Sequence, residues 1–197
     1  DLNMQLLELV LYSNLGDMRT LSLRPGKVNI ITGGSARGKS ALIDIIDYCL
    51  GRRECMVAEG IIRETVSWYG LKLQFPFSQL FIARENPKKG KRTTNRAYLE
   101  LGENIHCPEC DSLEPNTNID TIINHLTKLI GISPNRYAPP HGQTREPIEA
   151  NIRHSLTYCF QQQGEIASKD ILFHRQGESF LEQRIKDTLP YFLGAIR

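Results

Sequence analysis

The chain has 197 residues, of which 40% are hydrophobic and 23% charged, a balance that suits one globular domain and excludes a disordered or collagen-like chain. Its 24 basic and 22 acidic side chains leave a formal charge of +2, so any attraction for nucleic acid has to be local. No stretch approaches the about 18 consecutive apolar residues of a membrane span, no basic-then-apolar leader opens the sequence, and five cysteines lack the spacing of a secreted disulfide scaffold, so a soluble, cytoplasmic protein with no membrane partner is expected.

In chain order, Leu6 to Tyr12 and Thr20 to Leu23 predict an antiparallel strand pair around the turn residues Ser13 to Asp17. Val28 to Thr32 is a compact buried-strand candidate, and Ser40 to Leu50 carries Leu42, Ile43, Ile46 and Leu50 at helical spacing before Gly51. Val66 to Phe75, Gln79 to Arg84 and Arg96 to Leu101 predict further strands, grouped as a small accessory sheet. Asn118 is placed to cap a helix whose apolar positions, Ile119, Ile122, Ile123, Leu126, Leu129 and Ile130, run to Gly131. Ser133 to Pro147 holds four prolines and reads as an extended surface loop. An amphipathic helix follows over Ile148 to Phe160, and a last helix near Glu178 to Leu189 is stopped by Pro190.

The segment Gly33-Gly34-Ser35-Ala36-Arg37-Gly38-Lys39-Ser40 fits G-x-x-x-x-G-K-[ST] at every fixed position, the Walker A pattern, with a strand before it and a helix after it. Glycines let successive backbone N–H groups converge on phosphate oxygens, and a helix opening at Lys39 adds the positive end of its dipole. Lys39 is placed to reach the β- and γ-phosphates, and the Ser40 hydroxyl to ligate magnesium. ATP and Mg2+ are the expected ligands, with Ala41 the next residue along the same turn. Arg37 either adds a charge to the phosphates or faces solvent.

Met4 to Leu9 followed by Val28 to Ser40, together with Leu42-Ile43-Asp44-Ile45-Ile46, resembles the opening of the ATPase heads of SMC-like proteins, the group that includes SMC, RecF, RecN and SbcC-type ATPases. Gln163-Gly164-Glu165-Ile166 resembles that group's Q-loop, whose glutamine reaches magnesium and the attacking water. The match points to Gln163 as a catalytic and metal-binding residue beside Lys39, with Gln161 as an alternative and a solvated helix end as the bland reading. Across most of its length the chain most closely resembles a group of bacterial SMC-like ATPases in proposed anti-foreign-DNA systems. The resemblance implies an α/β P-loop NTPase fold of the ABC-ATPase-head type, with a mixed central sheet and a small antiparallel accessory sheet. It also implies a single nucleotide-binding lobe over 1–197, completed by its own C-terminal lobe and a second head, with DNA and further system subunits as partners.

Several parts of such a head are absent from this sequence. No L-S-G-G-like signature occurs, and the apolar run Leu80 to Glu85 has no aspartate where magnesium would need one. The chain therefore reads as the N-terminal lobe of a longer protein, expected to bind nucleotide weakly and turn it over little by itself. The leading rival is a small-molecule or nucleotide kinase, which also uses a phosphate loop. A non-hydrolysing binding module is a third reading, and a transporter ATPase subunit a fourth.

Three weaker signals remain. Arg84, Lys88, Lys89, Lys91, Arg92 and Arg96 cluster around Pro87 and Gly90, and Lys88, Lys89, Lys91 and Arg92 are candidate DNA contacts against the plainer reading of a solvated turn. Cys107-Pro108-Glu109-Cys110 is half of a zinc site with no second pair. Trp68, the lone tryptophan, reads as core.

Overall fold

The computed structural model describes residues 4–23, 29–30, 36–130 and 183–184. They form a mixed α/β structure built on a five-stranded antiparallel sheet. The strands are β1 (Gln5–Ser13), β2 (Met18–Ser22), β4 (Val66–Gln74), β5 (Gln79–Glu85) and β6 (Ala97–Gly102), in the order β2-β1-β4-β5-β6. A separate parallel pair joins β3 (Asn29–Ile30) to β7 (Gln183–Arg184). The helices are α1 (Ala36–Cys49), a single turn and a half at α2 (Ile61–Thr65), and α3 (Ile119–Ile130).

Period-two alternation of apolar residues on both faces decides how the sheet is covered. Leu9 and Leu11, Tyr69 and Leu71, and Leu80 and Ile82 point to one face, where they share a buried cluster with Leu42, Ile45, Ile46 and Cys49 of α1 and with Ile119, Ile122, Ile123 and Leu126 of α3. The α1 residues follow the i, i+3, i+4, i+7 rule of an apolar stripe, and each fully buried aliphatic chain contributes about 1.5–3 kcal/mol of transfer free energy. Val10, Tyr12, Trp68, Phe81 and Ala83 point to the opposite face, which is covered by Ile105 and Leu113 of the segment that follows β6. Trp68 is core, as its strand context predicts.

The other predicted strands and the 119–130 helix appear close to where the sequence places them, Asn29–Ile30 is the described part of the Val28 to Thr32 strand, and Asn118 caps α3 as expected, its Oδ1 accepting from the Thr121 N–H at 3.0 Å. Three expectations are corrected. The strands over Val66 to Leu101 do not form a small accessory sheet of their own: β4 pairs directly with β1, over a register running from Gln5↔Gln74 to Ser13↔Val66, so the opening strand pair and the later three strands are one sheet. The helix after the glycine loop begins at Ala36, ahead of Lys39, because Ala and Arg are strong helix formers that propagate the first turn backwards. Gln183 and Arg184, expected within a helix near Glu178 to Leu189, are extended and pair with β3. The 133–147 loop and the 148–160 helix lie outside the described residues.

Candidate functional site

α1 begins inside the motif, so the backbone of Arg37, Gly38, Lys39 and Ser40 lies within the first five residues of the helix. β3 lies on the other side of the loop, at Asn29–Ile30. Gly33, Gly34 and Ser35 fall outside the described residues, as does Gln163. Ala36 and Arg37 are the first two residues of the helix, and the half-buried Ala41 begins its second turn. No acidic residue stands in the first turn, so the free N–H groups and dipole of that end meet no competing carboxylate from the turn itself.

The far end of the same helix is fixed with unusual care. Gly51 adopts φ +119°, its N–H donates to the Tyr48 carbonyl at 3.3 Å and the Arg52 N–H donates to the Asp47 carbonyl at 3.1 Å, the two bonds of a Schellman ending. Arg52 also closes an ion pair with Asp47 at 3.1 Å. A Cβ on Gly51 would stand 3.0 Å from Ile123 Cγ1, so α3 sits directly against this turn.

Polar side chains then tie α1 to the central strands. Tyr48 Oη donates to the Glu85 carbonyl at 2.9 Å and Cys49 Sγ to the Tyr69 carbonyl at 3.5 Å. Arg84 is fully buried, with no exposed surface. Its Nη1 donates to the Tyr48 carbonyl at 2.8 Å and to the Arg52 carbonyl, and its Nη2 to the Thr94 carbonyl at 3.2 Å. Burial pulls the guanidinium below its usual value, an effect that the neighbouring Tyr48 opposes. The same burial pushes the Cys49 thiol up to about 12 and raises the Tyr48 hydroxyl as well, which keeps both neutral near Arg84.

This arrangement corrects the reading of the basic cluster, because Arg84 belongs to the core and not to a surface patch. Arg96 pairs with Glu85, and Arg92 lies 3.8 Å from Glu54. Lys88, Lys89 and Lys91 are exposed and have no acidic partner among the described residues. The β5–β6 connection that carries them is nonetheless held along its length. Arg63 of α2, itself buried, donates to Asn86 Oδ1, to the Pro87 carbonyl at 3.3 Å and to the Lys91 carbonyl at 3.0 Å. Asn86 returns two bonds, to the carbonyls of Arg63 at 2.9 Å and Val66 at 2.7 Å. Beside the loop lies a cleft of about 530 Å3 whose lining mixes basic Arg63, Lys88, Lys89 and Arg96 with acidic Glu59, Glu64 and Glu85.

The Cys107–Cys110 segment serves the second face of the sheet. Cys107 Sγ donates to Glu8 Oε2 at 2.8 Å, Tyr12 Oη donates to the Pro108 carbonyl at 2.7 Å, and both cysteines pack against the Val10–Tyr12–Phe81 cluster. Burial, aided by the Glu8 carboxylate, pushes the Cys107 thiol up to about 12, away from the thiolate that a metal would need. Among the described residues no three His, Cys, Asp or Glu side chains converge as metal ligands, and no helix is long and apolar enough to cross a membrane.

Sequence reasoning missed the roles of Arg63 and Arg84. For Arg84 a signal was present: it follows Leu80 and Ile82 at period two, which assigns it to the α1 face. For Arg63 there was none, since α2 has five residues and no pattern that distinguishes it from a turn. No protein-family model matches the chain, and no curated protein does either.

Proposed function

We propose that the chain is the ATP-binding lobe of an SMC-like ATPase, which dimerises around Mg-ATP and couples hydrolysis to a DNA-directed activity in repair or in defence against foreign DNA. The observation that carries this reading is the full G-x-x-x-x-G-K-S match at 33–40, preceded by β3 and running into α1, with Lys39 and Ser40 among the first five residues of the helix. The first turn suits a polyphosphate: its leading N–H groups have no helical acceptor, and it contains no acidic residue.

In this reading the backbone of 33–40 cradles the phosphates, Lys39 holds the β- and γ-phosphates, and Ser40 and Gln163 are the protein's ligands for magnesium. Bound magnesium neutralises charge at the β- and γ-oxygens. Gln163 orients the attacking water, a role a neutral amide can fill because it both donates and accepts hydrogen bonds. Lys88, Lys89 and Lys91 supply the unpaired positive charge for a DNA backbone, with Arg92 beside them. A second head and a C-terminal lobe complete the hydrolytic site.

The test is equilibrium binding of a fluorescent ATP analogue with magnesium, followed by turnover, for the wild type, Lys39→Ala and Gln163→Ala. Binding that is lost in Lys39→Ala, with little turnover by this chain alone and turnover that vanishes in Gln163→Ala once a C-terminal lobe and a second head are supplied, supports the proposal. Turnover proportional to monomer and indifferent to Gln163 favours the kinase reading, and failure of the wild type to bind any nucleoside triphosphate removes both.

A further inference from the structure

A guanidinium taken out of water costs several kcal/mol unless its surroundings replace the lost hydration. Among the described residues no carboxylate pairs with Arg84, and its partners there are three backbone carbonyls and the face of Tyr48. Two of those carbonyls, from Tyr48 and Arg52, belong to the last turn of α1 and the residue just past its glycine stop. There the i→i−4 ladder has ended, the Tyr48 carbonyl keeps only the 3.3 Å bond from the Gly51 N–H, and the dipole concentrates about half a negative charge. The third, from Thr94, belongs to the β5–β6 connection. Arg84 is thus an internal cation seated on the negative end of the helix whose positive end carries Lys39 and Ser40.

A helix of 14 residues is a rod of about 21 Å, and a rod held by a buried stripe and one fixed end has its other end fixed too. We propose that Arg84 is a positioning residue that anchors the C-terminal end of α1 to β5 and so sets where Lys39 and Ser40 stand for a bound triphosphate. The inference rests on the reading of 33–40 as a triphosphate site. The forked guanidinium suits the geometry, because its two terminal nitrogens reach the end of α1 and the β5–β6 connection at once in a fixed plane, whereas a lysine ammonium is a single point of charge on a flexible stem.

The experiment compares Arg84→Lys with a control of matched thermal stability, Leu113→Ala, which thins the cluster on the opposite face of the sheet. Affinity for Mg-ATP is measured in both, with hydrogen exchange of 36–49 and 79–85. Arg84→Lys is expected to weaken Mg-ATP binding by about ten-fold through misplacement of the phosphate-binding turn. Leu113→Ala, distant from that turn, is expected to stay within about two-fold of the wild type.

Equal losses in the two variants, or no loss in Arg84→Lys, would overturn the proposal, since either outcome makes Arg84 a contributor to stability alone. If Arg84→Lys does not fold, Tyr48→Leu takes its place under the same two outcomes, keeping the carbonyl acceptors while removing the ring. In the wild type, the slow amides of α1 and β5 are expected to open together; independent opening of α1 also defeats the anchoring. A wild type that binds no triphosphate but shows joint opening would refute the site reading and leave the anchor standing.

Discussion

The guanidinium carbon of Arg84 lies 3.7 Å from the centroid of the Tyr48 ring, so the side chain that follows Ile82 on the sheet face rests on the penultimate residue of α1. Tyr48 contributes through two separable parts, its ring face and its hydroxyl. Tyr48→Phe removes only the bond to the Glu85 carbonyl and is expected to cost about 1 kcal/mol. Tyr48→Leu also removes the cation–π contact and is expected to cost a further 1–2 kcal/mol, roughly. Urea unfolding of the two variants checks the difference, and equal costs would mean that the ring face contributes nothing.

The Gly51 turn gives a second expectation. An alanine there meets a backbone conformation that L residues avoid and a Cβ contact of 3.0 Å with Ile123 Cγ1. Gly51→Ala is expected to destabilise by about 1–3 kcal/mol. Combining it with Ile123→Ala relieves the contact but not the φ angle, so the double variant should lose less than the sum of the two single losses. Thermal unfolding of the three proteins measures this, and strict additivity would show that the backbone alone is at fault.

Alkaline pH should weaken the fold through Cys49. Burial pushes its thiol from the ordinary 9.0 up to about 12. Unfolded chains release this proton near the ordinary value while the folded protein keeps it. Above pH 9.0 the unfolded state therefore binds fewer protons, and stability falls until the folded value near about 12 is reached. From pH 8 to about 10.5 the loss attributable to Cys49 is about 2 kcal/mol. Cys49→Ala should flatten the unfolding curve by about that amount, while the buried tyrosines keep a residual slope in both proteins; identical curves would refute the assignment.

The loop lysines give an expectation in salt. If Lys88, Lys89 and Lys91 neutralise DNA phosphates, changing all three to glutamine should reduce the slope of log affinity against log salt by about 2–3 and weaken binding uniformly across sequences. Fluorescence anisotropy with a duplex oligonucleotide at several salt concentrations reads both quantities, and an unchanged slope would move DNA away from this loop.

Much of the fold was legible in the sequence because its elements have strong local periods. The continuous apolar run of Leu9 to Tyr12, the Leu71-Lys72-Leu73 alternation, and the 3.6-residue stripe of 119–130 with its Asn118 cap leave few alternatives. The union of β1 with β4 was not legible, since the pairing of strands that far apart is settled by the global packing of α1 and α3 rather than by any neighbour in sequence. α2 was missed because Ile61 and Ile62 are weak helix formers in a segment too short to show a period. At the candidate site, the Gly33 to Ser40 motif is recognised by its glycine, lysine and serine spacing, and Gly33 to Ser35 lie outside the described residues. The basic cluster misled in part, because charge along a chain does not reveal which way each side chain points, and Arg84 turns inward where Lys88 and Lys89 turn out.

The place of α1 between the two halves of the sheet also bears on how the chain folds. β1 can pair with β2 across a five-residue turn at once, and β4, β5 and β6 can form a meander among themselves. The seam that joins these halves links residues more than 50 positions apart, and everything between β2 and β4, the Gly33 to Ser40 motif included, lies within the loop this seam closes. Contacts of such long range are formed late and slowly, because the entropy of closure is lost before any pairing compensates it. The glycine motif lies within that loop, and β3, just before it, pairs with β7 across a still longer separation, so competence to hold a ligand should appear with the slowest folding phase and not before it.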